Sequence, residues 1–229
     1  MLLPISLGIR QQPDAGGADF FYPSSQSGTE KILRRDDYAC RCCGFKSHRY
    51  QRAISSAAIR GAKDEYVTVC LFCELCFALD RVGVVGGAAL IWLPELSQAE
   101  LNHVLRAIYV ATFSDEASLS EIAARTLDAL TARRTEAKKR LGSDDPILLA
   151  TVFQEEMNDQ ERAAAAAKLE GIRLLPLGRF AARGAELQDD PFSRMIRYWM
   201  SPEGPFGALP VTRWISLLDS AAKKAAATP

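Results

Sequence analysis

Hydrophobic and polar positions divide the sequence into two parts with different periodicity. In the first part, short runs rich in β-branched and aromatic residues predict strands, and glycine, proline and charged residues separate them. The strands are expected at residues 3–9, 50–54, 66–69 and 88–93, with short helices at 30–36 and 73–81. A polar stretch rich in glycine, proline and serine at 11–28 predicts a loop.

From residue 97 onward, apolar residues recur at helical spacing. Ser97 and Glu100 match a capping box at the start of one helix, and Ser118 and Glu121 repeat that pattern. Helices are predicted at 97–112, from 118 to Gly142, from 146 through 153, at 158–170, from 191 through 199 and from 214, with an extended segment at 172–176. Residues 201–210 hold three prolines and two glycines and predict a hinge. The fold class is therefore α+β, with regions 1–96 and 97–229.

All six cysteines lie in two clusters whose spacing is typical of a zinc site. Cys40 and Cys43 form one C-x-x-C pair, and Cys70 and Cys73 form a second. Zinc prefers four soft ligands in a tetrahedron, and two such pairs joined by a spacer supply them. Four thiolates would complete the coordination shell, whereas a catalytic zinc keeps one position for water. The sequence therefore predicts one structural zinc ion.

One ligand choice stays open, because Cys73 and Cys76 also form a C-x-x-C pair. The pair Cys70 and Cys73 is favoured, since a knuckle followed directly by a helix places its last ligand in the first helical turn. Cys76 would then be a small buried side chain, and Cys42 is expected to point outward. Disulfides are the alternative, but they belong to oxidising compartments.

Charge is balanced overall and unevenly distributed. The 28 basic and 28 acidic residues cancel, which argues against nucleic acid or anionic lipid as the main partner. Residues 30–63 nevertheless carry nine Lys/Arg against three Asp/Glu. Such a segment could contact phosphate, form a solvated face or bind an acidic partner.

The sequence predicts neither a membrane span nor a targeting segment. No apolar run approaches the roughly 20 residues of a membrane span. The apolar start lacks a basic segment and a cleavage site, and Pro4 interrupts it. A cytoplasmic protein with reduced cysteines is therefore expected.

The two cysteine clusters resemble the frame of HNH-type ββα-zinc nucleases. That frame is carried by Arg35, Asp36, Tyr38, Cys40, Cys43, Gly44, Val67, Thr68, Cys70 and Cys73. The resemblance implies an HNH/treble-clef-like ββα zinc-binding fold for 1–96, followed by a mainly helical region.

The catalytic residues of such nucleases have no match in this sequence. Nuclease chemistry needs a histidine to activate water and further side chains to hold a divalent ion. His48 comes too soon after the first knuckle, His103 lies in a later helix, and Glu74 stands where the family carries histidine after the second knuckle. No catalytic residue is therefore predicted, although a nuclease or a DNA-binding zinc module remains the alternative.

A resemblance to the IcmJ/DotN family of the Dot/Icm type IVB secretion system covers most of the chain. It rests on the run from Lys31 to Asp36, both knuckles, and above all on Ile91-x-Leu-Pro-Glu-Leu-x-Gln-Ala-Glu-Leu-Asn102, with Ile172–Pro176 near the end. It implies a cytoplasmic, non-catalytic adaptor that is peripheral to the inner membrane. The adaptor would bind the C-terminal tail of the coupling ATPase, beside other coupling-complex subunits and effector adaptors.

A partner segment is expected to bind in a groove between residues 88–93 and the capped helices. Aromatic side chains dominate the energetics of interfaces, so Phe77, Trp92 and Trp199 are candidate contact residues, although core positions are the more common use of such residues. Lys138, Lys139 and Arg140 are expected at a solvated helix end.

Overall fold

A computed structural model describes residues 2–9, 27–57, 59–85, 87–155, 157–158, 160–161, 165, 168–177 and 191–214. The helices are α1 (Ser27–Arg35), α2 (Leu71–Phe77), α3 (Gln98–Thr112), α4 (Ala117–Ala132), α5 (Arg134–Leu141), α6 (Pro146–Glu155) and α7 (Pro191–Met200). The strands are β1 (Gln51–Ser55), β2 (Tyr66–Cys70), β3 (Ala88–Trp92) and β4 (Ile172–Pro176), and 3-10 helices form at Leu79–Val85 and Val211–Arg213. This mixture of helices and small sheets confirms the α+β class.

The first part contains a β-hairpin followed directly by a helix. β1 and β2 pair antiparallel, with Gln51 opposite Cys70, and α2 follows β2 without a loop. α2 begins two residues before the predicted start and ends at Phe77. The chain then turns into the 3-10 helix, where the Leu79 amide donates to the Gly8 carbonyl. The strand–strand–helix order matches the prediction, and the likeness to a particular nuclease fold stays a prediction.

The strand predicted at 3–9 is wrong. Residues 2–9 form no strand, although their backbone is hydrogen-bonded to the rest of the first part. The Leu3 amide donates to the Arg41 carbonyl, and the Gly8 amide donates to the Cys76 carbonyl. The segment therefore bonds to the first knuckle near its start and to the end of α2 near its own end, instead of pairing along one strand.

The second part keeps its helices but shifts two of their boundaries. α3 starts with the predicted capping box. The Ser97 hydroxyl accepts from the Glu100 amide, and the Glu100 carboxylate accepts from the Ser97 amide. The second predicted box is wrong, because Glu116 is the N-cap of α4 and the Ser118 hydroxyl donates to the Glu116 carboxylate. The helix predicted to reach Gly142 is interrupted at Arg133, whose carbonyl accepts a bond from the Trp92 amide. It resumes as α5.

β3 and β4 join parts of the chain that are distant in sequence. They pair antiparallel, with Leu90 opposite Leu174. On the other edge of β3, the Leu90 amide donates to the Asp144 carbonyl. The outer edge of β4 is covered by α3, because the Gln98 side chain both donates to the Leu174 carbonyl and accepts from its amide. Both edges of this sheet are thus already hydrogen-bonded at these residues. β3 also packs against α4 and α5, on the side where a groove for a partner segment was expected.

Aromatic side chains fill one continuous core between the two parts. Phe72 of α2 packs edge-on against Trp199 of α7, with ring centroids 5.8 Å apart. Trp199 and Phe77 are each only 2% exposed, so both are core residues, the more common use of such side chains, and neither is available as a partner contact. Trp92 is half-buried, and the Arg140 guanidinium lies 3.6 Å above its ring. These aromatics stabilise the interior.

Some predicted elements fall partly or wholly outside the described residues: most of the loop at 11–28, part of the helix at 158–170 and the helix after Trp214. Within the described residues, 201–210 form consecutive turns, with Phe206 donating its amide to the Trp199 carbonyl. The division into two regions and the hinge stay predictions. No helix in the described ranges is long and apolar enough to cross a membrane.

Candidate metal centre

The first cysteine pair sits in a tight turn whose backbone is fixed by its own hydrogen bonds. The Cys40 amide donates to the Phe45 carbonyl, and the Gly44 amide donates to the Cys40 carbonyl. Gly44 has φ of 76°, a left-handed conformation that glycine adopts without steric cost. The Gln51 side chain donates to the Phe45 carbonyl at 2.7 Å. The hairpin strand β1 therefore stabilises the turn through this side-chain hydrogen bond.

The second cysteine pair lies where β2 becomes α2. Cys70 is the last residue of β2 and the N-cap of α2, with φ of −86° and ψ of 160°. Cys73 is the third residue of α2, so its side chain leaves the first helical turn, as predicted. The Arg41 amide donates to the Thr68 carbonyl at 2.8 Å, and this bond joins the first turn to β2. The two pairs are thereby brought face to face.

The four cysteine sulfurs form a compact buried group. The Sγ atoms of Cys40, Cys43, Cys70 and Cys73 all lie within 4.8 Å of one another. Those of Cys43 and Cys70 are 3.7 Å apart, close to the edge of about 3.8 Å expected for a tetrahedron with Zn–S bonds of about 2.3 Å. The six cysteines, all within the described residues, form no disulfide. The group could hold one metal ion.

The two remaining cysteines are both buried beside this group. Cys76 is fully buried as expected, and its thiol donates to the Phe72 carbonyl at 3.3 Å. Burial, reinforced by the charges of Cys70 and Cys43, raises the pKa of Cys76 well above its ordinary value. Cys42 is 2% exposed, so the expectation that it points outward is wrong. Its turn is packed into the core on that side, where a small apolar thiol fits.

The helix α3 places two polar side chains on the sulfur group. Arg106 Nη2 donates to Cys70 Sγ at 2.7 Å and lies 3.5 Å from Cys43 Sγ. Asn102 Nδ2 donates to Cys73 Sγ at 3.3 Å. Sequence reasoning missed both residues. The available signal was two polar residues four positions apart, hence on one face of α3, among apolar positions that predict a buried face.

Opposing effects act on the ionisation of these groups. Burial lowers the pKa of Arg106, but the charges of Cys70 and Cys43 outweigh it and raise that pKa above its ordinary value. Burial opposes ionisation of Cys70, whereas hydrogen bonds from neighbouring cysteines and the Arg106 charge bring the pKa of Cys70 below its ordinary value. The guanidinium and the Cys70 sulfur therefore each favour the charged form of the other.

A buried carboxylate fastens α1 to the centre. Asp36 accepts from Arg35 at 3.0 Å, from Arg41 at 3.1 Å and from the Thr68 amide at 2.9 Å. Burial works against ionisation, but these bonds, led by that from Arg35, leave the pKa of Asp36 below its ordinary value. One side chain thus connects the end of α1, the first turn and β2.

The two histidines and Glu74 make contacts with elements around the cysteine group. The His48 ring lies 4.6 Å from that of Tyr38. His103 Nε2 is 2.8 Å from the Cys43 carbonyl, so its ring binds the first turn from α3. Glu74 is fully buried and pairs with Arg52 at 3.1 Å. These residues hold the elements around the cysteine group together.

Comparisons with known proteins agree with the sequence motifs. No family model matches the chain. The chain is 39% identical over 94 residues to the type 4 apparatus protein DotN of Legionella pneumophila, a match that covers 39% of this chain and 44% of DotN. The chain thus spans less than half the length of the curated relative it matches.

Proposed function

We propose that this chain is a non-catalytic adaptor subunit of a type IVB secretion coupling complex, a role supported by its similarity to DotN over 94 residues. It binds the C-terminal tail of the coupling ATPase and lies beside other coupling-complex subunits. It helps to recruit effectors. It is cytoplasmic and peripheral to the inner membrane, held there through the complex.

The similarity to DotN is the observation that carries this role. DotN is named as a protein of the type 4 apparatus, and an apparatus component works through protein partners. The arrangement of the described residues agrees with binding rather than chemistry, since both histidines make structural contacts. The chain would therefore act by presenting a binding surface to protein partners.

We assign the centre one structural zinc ion bound by Cys40, Cys43, Cys70 and Cys73. Four buried sulfurs are the donor set that structural zinc prefers, and they leave no position for water. Their backbone comes from one turn and one helix start, so the ion would join two segments that lie apart in sequence. Binding of zinc would then contribute directly to the stability of the first part.

The adaptor role is tested with the full-length chain and a peptide from the tail of the coupling ATPase. We expect one zinc per chain by elemental analysis, and co-elution of chain and peptide on size exclusion. Cys42→Ser should keep both properties, whereas Cys40→Ser should lose both. A folded, zinc-loaded chain that does not bind the tail would contradict the adaptor role and leave the zinc assignment intact.

The alternative of a nuclease or DNA-binding module is tested with the same preparation. Many basic side chains of residues 30–63 are already paired with carboxylates, such as Arg34 with Glu30 and Lys46 with Asp37. We therefore expect elution from DNA at low salt and no plasmid nicking with Mg²⁺, Mn²⁺ or Ni²⁺. Metal-dependent nicking that His48→Ala abolishes would overturn the non-catalytic assignment.

A further inference from the structure

Arg106 is a buried cation whose closest charged neighbours are cysteine sulfurs. It is 1% exposed, and its Nη2 atom lies 2.7 Å from Cys70 Sγ. No carboxylate among the described residues lies within salt-bridge distance of it. A buried guanidinium without an anionic partner would be strongly destabilising. Among the described residues, the cysteine sulfurs are therefore the groups placed to compensate this charge.

Aromatic rings hold the guanidinium in place. Its central carbon lies 4.0 Å from the ring centroid of Phe45 and 5.3 Å from that of Phe72. Arg106 Nη1 donates to the Asn102 carbonyl one turn back at 3.1 Å. The planar group therefore presents its Nη2 atom to the Cys70 and Cys43 sulfurs in a fixed orientation.

Arg106 and Asn102 would reduce the negative charge that a metal-bound group of four thiolates places in the interior. Four thiolates and one divalent ion leave two net negative charges in the protein interior. The Arg106 guanidinium cancels one of them, and the Asn102 amide donates to the Cys73 sulfur at 3.3 Å. Groups that hydrogen-bond metal ligands typically change metal affinity by about 10–100-fold when they are mutated.

We propose that Arg106 and Asn102 are positioning residues of the metal centre, with Arg106 as its internal counter-ion. Their hydrogen bonds to the ligand sulfurs, together with the Arg106 charge, offset the negative charge of the metal-bound group and so raise the affinity for a divalent ion. Because both residues lie on α3, bound metal also fastens the helical part of the chain to the two cysteine turns. The inference rests on the proposed metal centre.

The test measures metal affinity and sulfur electronics in the full-length chain. Arg106→Met keeps most of the side-chain volume and removes the charge, and Arg106→Lys keeps the charge. We expect Arg106→Met to weaken zinc binding by about 10–100-fold in competition with a chelator, with Arg106→Lys closer to wild type. In the Co²⁺-loaded chain, the sulfur-to-cobalt charge-transfer band should move to lower energy in Arg106→Met, because the sulfurs lose a donor.

Leu105→Ala is the matched control. Leu105 is the fully buried neighbour of Arg106 in α3, so its truncation destabilises the same helix without changing the charge at sulfur. Its folded fraction should keep wild-type zinc affinity and the wild-type cobalt band. Wild-type affinity and band position in folded Arg106→Met would overturn the inference.

Asn102→Leu decides the matter if Arg106→Met does not fold. It removes the amide donor to Cys73, and with it the acceptor of a bond from Gln98 Nε2 that lies away from the sulfurs. A smaller loss of affinity with a smaller shift of the cobalt band is expected. An unchanged affinity and band in this variant would then contradict the inference. Failure of the wild-type chain to bind any divalent ion would instead overturn the metal centre itself.

Discussion

Cys40 and Cys42 are two residues apart and equally hidden from solvent, yet only Cys40 belongs to the group of four mutually close sulfurs. The chain reverses direction through the turn, so alternate residues face different neighbours. Solvent exposure therefore does not distinguish a ligand from a core thiol here. The distances between sulfur atoms do.

Serine substitutions at these two positions should have different effects. Cys40→Ser removes one of four ligands, so we expect loss of bound metal and unfolding of the first part. Cys42→Ser leaves the four sulfurs intact and buries one hydroxyl, for which a cost of about 1–3 kcal/mol is expected. The metal content of each purified variant and its thermal unfolding curve check this pair. Equal metal loss in both variants would contradict the ligand assignment.

Asp36 makes the first part sensitive to acid. Its pKa lies below the ordinary value in the folded chain, so its contribution to stability is complete above the unfolded pKa of about 4. That contribution disappears as pH falls through the lower folded pKa, because protonation breaks the bonds to Arg35, Arg41 and Thr68.

Asp36→Asn should remove this contribution at neutral pH. We expect a loss of about 1–3 kcal/mol in the free energy of unfolding, since a buried acceptor of charged hydrogen bonds is lost. The difference between wild type and variant should shrink as pH falls below about 4. Denaturant unfolding at several pH values measures it, and a difference that stays constant with pH would contradict the assignment.

At the scale of elements, the turn before β4 shows how a single glycine controls strand pairing. Gly171 has φ of 82°, and a Cβ added there would overlap the Trp92 ring on the paired strand β3. The Gly171 carbonyl accepts from the Leu93 amide, so the turn cannot move away without breaking the pairing. Gly142, at the end of α5, has φ of 80° but open space around it.

These two glycines form a matched pair for mutation. Gly142→Ala should cost about 1–2 kcal/mol, the penalty for a left-handed backbone with a side chain. Gly171→Ala should cost a further 1–3 kcal/mol, roughly, because it adds overpacking against the indole ring. Denaturant unfolding of both variants gives the comparison. Equal losses in the free energy of unfolding would show that the Trp92 ring moves aside without an energetic penalty.

At the scale of the whole molecule, the metal centre lies between the two parts of the chain. Phe45 from the first turn packs edge-on against Trp199 of α7, with ring centroids 5.4 Å apart. Arg106 and His103 reach the cysteine turns from α3. Loss of metal should therefore loosen helices that supply no ligand.

Chelation of the metal tests this connection. We expect faster amide hydrogen exchange in α3 and α7 as well as in the two cysteine turns, because their shared core is no longer held together. α5 packs on β3 away from the cysteines and should change less. Exchange confined to the cysteine turns would show that the two parts are stable independently.

The sequence by itself determined the local features of this protein. The spacing of the cysteines predicted which four sulfurs could share one metal ion, and the start of α3 followed from Ser97 and Glu100. The strands β1 to β4 lie within one residue of their predicted ends. These features depend on neighbours close in sequence, so short-range stereochemistry is sufficient to predict them.

Only the tertiary structure decided which side chains surround the centre and which faces are buried. Arg106 contacts Cys70 across 36 positions, and Gln98 contacts Leu174 across 76. Trp199 is buried against Phe45 and Phe72, which are far from it in sequence. Such contacts depend on how distant segments pack together, and hydrophobic periodicity predicts that a residue faces inward without identifying the residue it meets.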